Sequence, residues 1–228
     1  SLLDVVEKTA RNVFIPMTVG GGIRSLNDIA QVLRAGADKV AINTAAVNDP
    51  AFVAKAAERY GSSTIAVHID AKRQRNGDWM VWTENGREPS NLNAVDWATK
   101  VAALGCGEIL VTSIDAEGTT AGFDEELLRA ISRVVTVPIV ASGGAKSPAT
   151  IATTARHIDV SAVSVASILH YGVAAILQSE GYSFGAAGEF QVIAEKRDFG
   201  RAKPTTIASI KTAMAAEGVD VRLAAVAE

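Results

Sequence analysis

The sequence predicts a single domain, residues 1–228, with the fold of an incomplete (β/α)8 TIM-type barrel of about six βα units. Apolar runs alternate with helical patterns at intervals of about 22 to 28 residues, which indicates βα units and a parallel sheet. The apolar runs end in glycine or small polar residues, as strands do where ligands bind. Two similar turns, GGG and later SGG, lie half a barrel apart.

The first half of the chain opens on a helical pattern, SLLDVVEKTARNV, which precedes the strand MTV. The turn Gly20-Gly21-Gly22 follows, and its glycines allow the backbone to approach a ligand closely. Ser25 and Asp28 form a capping pair for the next helix, whose free N–H groups could face an anion. A second strand, KVAIN, ends at Asn43-Thr44, and the helix after it begins between Asn48 and Pro50.

Two insertions interrupt the βα pattern. Residues 71–92 contain DWMVWTENGREPS, which alternates like two strands around an Asn85-Gly86 turn, so we expect a hairpin over the strand ends. Its tryptophans are expected to pack, although a ligand platform is the alternative. Residues 172–204 form a second insertion, dotted with glycine, before the final helical pattern TTIASIKTAMAAEG.

Composition excludes several classes of protein. The chain has 228 residues, 48% of them hydrophobic, and a net charge of −3, which does not suit a nucleic-acid-binding protein. No uncharged apolar stretch suits a membrane span and no signal peptide opens the sequence, so we expect a cytoplasmic protein. Three scattered histidines and one cysteine, Cys106, predict no metal site, and no cofactor is expected. Cys106 is expected to be a buried filler rather than a reactive thiol.

The run TIAVHIDAKR carries the strongest candidate for chemistry. The apolar part of this run ends in a carboxylate, Asp70. Burying an unpaired carboxylate costs several kcal/mol unless that end of the strand opens into a site. The alternative is a strand-end acid neutralised by Lys72 or Arg73. No G-x-G-x-x-G pattern followed by a ribose-binding acid occurs, which weakens a dinucleotide-binding interpretation.

Six motifs in the same order resemble one family: TVGGGIRS, GADKVAINTAAV, IDAKR, GEILVTSIDAEGTTAGFD, VPIVASGGA and the late EGVDVR. Together they are similar to the cyclase subunit of imidazole glycerol phosphate synthase, of histidine biosynthesis. The resemblance implies a lyase-type reaction of a bisphosphorylated ribulosyl aminoimidazole carboxamide ribotide with ammonia. The implied products are imidazole glycerol phosphate and an aminoimidazole carboxamide ribotide.

The resemblance also implies roles for particular residues. Asp70 would be a catalytic acid/base, Thr112 would lie near the reacting centre, and Asp115 is the second candidate acid. One phosphate would be held at Gly21, Gly22, Asn43 and Thr44, and the other at Gly118, Gly143, Gly144, Ala166 and Ser167.

On the opposite rim, Lys39 and Glu108 match part of a charged ammonia gate beside a glutaminase subunit, the expected partner in a heterodimer. A plain surface salt bridge, worth at most about 1 kcal/mol, is the alternative interpretation of this pair.

His68 stands where the family pattern suggests a small residue. By the period of a strand it points to the same side as Asp70. It is therefore expected either to be a neutral interior histidine satisfied by a hydroxyl or to relay protons.

Two further functions remain open. The family opens with two βα units that carry a second catalytic aspartate, so we expect this chain alone to have little or no cyclase activity. A sugar-phosphate isomerase of the same pathway and fold is one alternative function. A non-catalytic, phosphate-binding scaffold that docks a glutaminase is the other.

Overall fold

The computed structural model describes residues 2–181 and 205–222, and its centre is a curved parallel sheet. The strand order is β1-β2-β3-β6-β7-β8, and the path stays open between β1 and β8 within the described residues. This architecture confirms the predicted incomplete barrel. The strands are β1 (Thr18–Gly20), β2 (Lys39–Ile42), β3 (Ile65–Arg73), β6 (Glu108–Ser113), β7 (Ile139–Ser142) and β8 (Ala162–Val163).

Helices connect the strands and cover one face of the sheet. The longer helices form where apolar residues recur at helical spacing, and α2, α4, α5, α6, α7 and α9 begin at a polar N-cap side chain. Their bounds are α1 (Leu2–Ala10), α2 (Leu26–Arg34), α3 (Thr44–Asn48), α4 (Pro50–Tyr60), α5 (Ala94–Ala103), α6 (Glu125–Ser132), α7 (Pro148–His157), α8 (Ser167–Ser179) and α9 (Ile207–Ala216).

The strand β3 shows how the sequence assigns its two faces. Ile65, Val67 and Ile69 are fully buried and pack in the hydrophobic core, while Ala66, His68 and Asp70 line the cleft on the opposite face. Alternate residues of a strand point to opposite sides, so the run TIAVHIDAKR supplies both the core and the site. Burying each such aliphatic side chain stabilises the fold by about 1.5 to 3 kcal/mol.

The insertion after Asp70 is an antiparallel hairpin that extends β3. Its strands are β4 (Trp79–Thr83) and β5 (Glu88–Asn93), and β4 pairs with β3 from Asp70 to Arg73. The turn between them has positive φ at Glu84, Asn85 and Gly86. β3 is thus long enough to pair with the barrel strands at its start and with the hairpin at its end.

The second insertion lies partly outside the described residues. Helix α8 includes the first residues of this insertion and ends at Ser179. Residues 182–204 are not described. Thr205, where the description resumes, donates its backbone N–H to Ile168 O at 3.3 Å. Helix α9 then packs on α7. Within the described ranges, no helix is long and apolar enough to cross a bilayer.

Cys106 is buried, with 2% of its surface exposed, and burial raises the pKa of its thiol to about 11. Only about one thiol in a thousand would then be ionised at pH 8, and the thiolate is the reactive form. We therefore expect a disulfide reagent to label native protein very slowly at pH 8 and urea-unfolded protein rapidly. Rapid labelling of the native protein would contradict this prediction.

The same burial predicts a loss of stability at alkaline pH. The unfolded thiol ionises near its ordinary pKa of 9.0, whereas the folded thiol stays protonated up to about pH 11. The folded state is therefore favoured below pH 9 and loses this advantage as the pH rises from 9 to 11. The variant Cys106→Ala is the control, because its unfolding should lack this component.

Candidate active site

Asp70 lies where the barrel strands end and the hairpin begins. It is aligned with Thr112 of β6 on one side and with Trp82 of β4 on the other. The residue is 8% exposed, and its carboxylate lines the main cleft. Asn43 donates through Nδ2 to Asp70 Oδ2 at 2.8 Å and to the Trp82 carbonyl at 3.1 Å. The carboxylate is therefore held in a defined orientation at the cleft.

His68 contacts two of the predicted site residues through one atom. Its Nε2 lies 2.9 Å from Thr112 Oγ1 and 3.1 Å from Asp70 Oδ1. The hydroxyl partner expected for an interior histidine is present, and so is a carboxylate. Thr112 itself is buried, so its hydroxyl is oriented by this contact in the interior of the sheet.

The main cleft is an open cavity of about 1200 Å³ on the inner face of β1, β2, β3 and β6. Gly21 and Gly22 line it with φ values of +97° and +75°, and a Cβ at either position would meet no atom within 4 Å. This backbone conformation favours glycine, so the turn presents its peptide groups to the cleft. Thr44 also lines the cleft, and its Oγ1 accepts a hydrogen bond from Glu84 N at 3.1 Å.

The cap of α2 uses some of the backbone N–H groups near the helix start, where the sequence predicts that an anion could bind. Asp28 accepts from the backbone N–H groups of Arg24 and Ser25, each at 2.9 Å, and Ser25 Oγ accepts from Asp28 N. These hydrogen bonds hold the pKa of Asp28 below its usual value. The N–H groups of Arg24, Ser25 and Asp28 are thus already satisfied within the cap of this helix.

A second, smaller cavity of about 60 Å³ lies beyond β6. Gly143 and Gly144 have φ values of +87° and +92°. A Cβ at Gly143 would lie 2.9 Å from Ser113 O, and one at Gly144 would lie 2.1 Å from Gly122 O. The backbone packs too closely here for any side chain. All of the residues predicted for the second phosphate line this cavity: Gly118, Gly143, Gly144, Ala166 and Ser167.

The two glycine turns lie on opposite sides of Asp70. The first follows β1 and the second follows β7, with β2, β3 and β6 between them. At about 4.8 Å per strand, four steps place them about 19 Å apart along the curved sheet. Ser164 lines both cavities, so the cavities adjoin. An extended ligand with an anionic group at each end fits this arrangement.

At the amino end of the sheet, Lys39 Nζ and Glu108 Oε2 form an ion pair at 2.5 Å. Glu108 also lines the main cleft, so the pair lies at the inner end of the same cavity that Asp70 lines. The side chains are 32% and 19% exposed. The structure therefore brings together the two residues that the sequence predicted for a gate.

Asp115, the second candidate acid, is exposed and lies outside the lining of both cavities. Its Oδ2 accepts a hydrogen bond from Arg73 N at 2.7 Å, which fixes the end of β3 against the loop after β6. The structure thus places Asp115 at the base of the hairpin rather than beside Asp70.

Sequence reasoning missed Asp124, which organises the base of the hairpin. Its Oδ2 accepts from Trp79 Nε1 at 3.0 Å and from Ser113 Oγ at 3.4 Å, while Oδ1 accepts from Leu127 N and caps α6. An aspartate directly before the helical pattern EELLRAIS was the available signal, because aspartate is a preferred N-cap. No local sequence pattern predicted the tertiary contact between Asp124 and Trp79.

The fold and the site together define a barrel enzyme of the kind that binds phosphorylated small molecules at the carboxyl ends of its strands. A family model described as "Histidine biosynthesis protein" matches residues 1–175. The chain therefore belongs to this family.

Individual relatives narrow the resemblance. The chain is 49% identical over 182 residues to "Imidazole glycerol phosphate synthase subunit HisF" of Dehalococcoides mccartyi, a match that covers 80% of this chain and 72% of that protein. Proteins of the same name from Trichormus variabilis and Nostoc sp. are each 48% identical over 185 residues and match 80% of this chain. The matches cover 72% and 71% of their own lengths. The resemblance inferred from the six sequence motifs is confirmed, and a subunit of a synthase implies a partner subunit.

Proposed function

We propose that this chain is the cyclase subunit of imidazole glycerol phosphate synthase. It would convert a bisphosphorylated ribulosyl aminoimidazole carboxamide ribotide and ammonia to imidazole glycerol phosphate and an aminoimidazole carboxamide ribotide, in the cytoplasm. The single observation that carries this proposal is the position of Asp70 in the main cleft, between two glycine turns that line adjoining cavities at the carboxyl ends of a barrel sheet. The names of the relatives supply the enzyme, imidazole glycerol phosphate synthase, and the substrates and products are those that the family resemblance implies.

Each end of the substrate would occupy one glycine turn. Backbone N–H groups at Gly21 and Gly22 would bind one phosphate, and those at Gly143 and Gly144, with the Ser167 hydroxyl, would bind the other. The sugar and the developing imidazole ring would then lie across the middle of the sheet, within reach of Asp70. Asp70 would accept and return protons as ammonia adds and the ring closes.

The partner would be a glutaminase that supplies ammonia at the amino end of the sheet. Lys39 and Glu108 lie at that end and on the cleft that leads to Asp70. Ammonia that enters past this ion pair would reach the substrate through the cleft that Asp70 lines. The ion pair would thus serve as part of a gate as well as a structural contact.

A second candidate function, a phosphate-binding scaffold that docks the glutaminase, is favoured by the open sheet. The path between β1 and β8 is not closed within the described residues, so water enters the cleft and would compete with the reaction. We therefore expect low turnover from the 228-residue chain by itself.

The functions are tested by incubating purified protein with the bisphosphate substrate and ammonium, and with the aminoaldose substrate of the pathway's isomerase. Cyclase product supports the proposed function, and turnover of the aminoaldose instead would identify an isomerase. Calorimetric binding of the bisphosphate without turnover would favour the scaffold. Absence of both binding and turnover would contradict all three functions.

Binding also tests the role of Asp70. The negative charge of Asp70 would repel both phosphates of the bound ligand and weaken its affinity. The variant Asp70→Asn removes this charge, so it is expected to tighten bisphosphate binding about threefold. Any cyclase turnover should disappear in this variant. Asp115→Asn is the matched control, and it should leave affinity unchanged because Asp115 lies outside both cavities. A tenfold weaker affinity in Asp70→Asn would show that Asp70 holds the ligand instead.

A further inference from the structure

His68 bridges two site residues on neighbouring strands, Asp70 and Thr112. Its Nε2 lies within hydrogen-bond distance of Asp70 Oδ1 and of Thr112 Oγ1, at 3.1 Å and 2.9 Å. The other carboxylate oxygen of Asp70 is held by Asn43 Nδ2. Both oxygens of the carboxylate are therefore oriented by side chains, one from its own strand and one from the residue that follows β2.

The chemistry of these atoms assigns the proton on Nε2. An ionised carboxylate only accepts hydrogen bonds, whereas a threonine hydroxyl both donates and accepts. A proton on Nε2 therefore satisfies Asp70, and the Thr112 hydroxyl can accept from the same proton or turn its own proton toward a ligand. A hydrogen bond to an ionised carboxylate is charge-assisted, and therefore stronger than one between two neutral groups.

We propose that His68 is a positioning residue for Asp70. Its Nε2 holds Oδ1 in place as the Asn43 amide holds Oδ2, so the carboxylate keeps one orientation at the cleft. The meaning for catalysis rests on the proposed function, but the contact itself does not.

Other charged groups share the cleft and act on the same site. On β2 and β6, the neighbours of β3, Lys39 and Glu108 neutralise each other as an ion pair at the amino end. Lys72, on the same strand, lies with its ammonium over the Trp82 ring, 4.9 Å from the centroid. The remaining charged residues that line the cleft are Arg24, Asp49 and Glu84. Among the residues that the structure describes, none of these groups forms a hydrogen bond or ion pair with His68, whose partners are Asp70 and Thr112. A pairwise measurement can therefore separate Asp70 from them.

A double-mutant cycle tests the proposal without substrate or turnover. The free energy of urea unfolding is measured for wild type, His68→Ala, Asp70→Ala and the double variant. The coupling between the two residues, expressed in the unfolding equilibrium constant, is expected to be at least about threefold. The cycle of His68→Ala with Asp115→Ala is the control and should show no coupling, because Asp115 accepts from Arg73 N and does not contact His68.

His68→Gln keeps the proposal testable if His68→Ala fails to fold. Glutamine can place an N–H near the position of Nε2, so it should keep most of the coupling to Asp70, whereas His68→Leu, which has no donor, should lose it. Absence of coupling between His68 and Asp70 would overturn the proposal and leave His68 as packing. Failure of the cyclase assay alone would overturn the proposed function and not this contact.

Discussion

Replacement of Gly144 by alanine is expected to lower the free energy of unfolding by about 3 kcal/mol or more. The new Cβ would lie 2.1 Å from the carbonyl oxygen of Gly122, a backbone atom that cannot rotate away. The backbone φ of +92° is also unfavourable for any other residue. Gly122 N donates to Gly144 O at 2.9 Å, so relief of the clash would also break this tie between the two loops. Urea unfolding of the purified variant measures the loss.

Gly118→Ala is the matched control for this prediction. Gly118 lines the same cavity and has a positive φ of +71°, but a Cβ there would meet no atom within 4 Å. Its cost should be limited to the left-handed backbone, about 1 kcal/mol. Equal losses in the two variants would show that close packing at Gly144 does not shape the second cavity.

Replacement of Asp124 by alanine is expected to cost about 2 to 3 kcal/mol of unfolding free energy. The change removes the N-cap of α6, worth about 1 kcal/mol, and the charge-assisted hydrogen bond from the Trp79 indole, worth about 1.5 kcal/mol or more. Because Trp79 belongs to the hairpin, we also expect faster amide hydrogen exchange in β4. Denaturation and hydrogen exchange measure the two effects.

Glu126→Ala provides the comparison, since Glu126 also ties the hairpin base to α6. It pairs with Arg73 at 2.5 Å, but both side chains are well exposed, at 68% and 47%. An exposed ion pair of this kind contributes at most about 1 kcal/mol. If Glu126→Ala destabilised the protein as much as Asp124→Ala, the assignment of Asp124 as the anchor would be wrong.

Much of the fold was readable from local patterns. The alternation in TIAVHIDAKR predicted a strand with Asp70 on one face and its isoleucines on the other, and the structure agrees. The capping pair of Ser25 and Asp28 is also as predicted. Helix α3 was missed, because five residues directly after Asn43 carry too little periodicity to separate a short helix from a loop.

Less of the site was readable in this way. The local sequence pattern identified His68 as an interior residue but left a hydroxyl partner and a proton relay as alternatives. For Asn43 it gave no partner within the protein. The structure shows that the Asn43 amide orients Asp70. Asp115 and Asp124 both follow β6, yet one caps the end of β3 and the other anchors Trp79 of the hairpin. Such contacts depend on where loops return, which short motifs do not encode.

The sequence by itself determined that this protein is a parallel barrel sheet with an acid at the end of one strand and a glycine turn after each of two others. Those features follow from periodicity and from backbone conformations that only glycine adopts readily, and both are local. The tertiary structure alone decided which side chains meet at Asp70. Asn43 and Thr112 are 27 and 42 residues away from it along the chain. Their approach requires the strand register and the curvature of the whole sheet, and these are set by the packing of the helices and strands together.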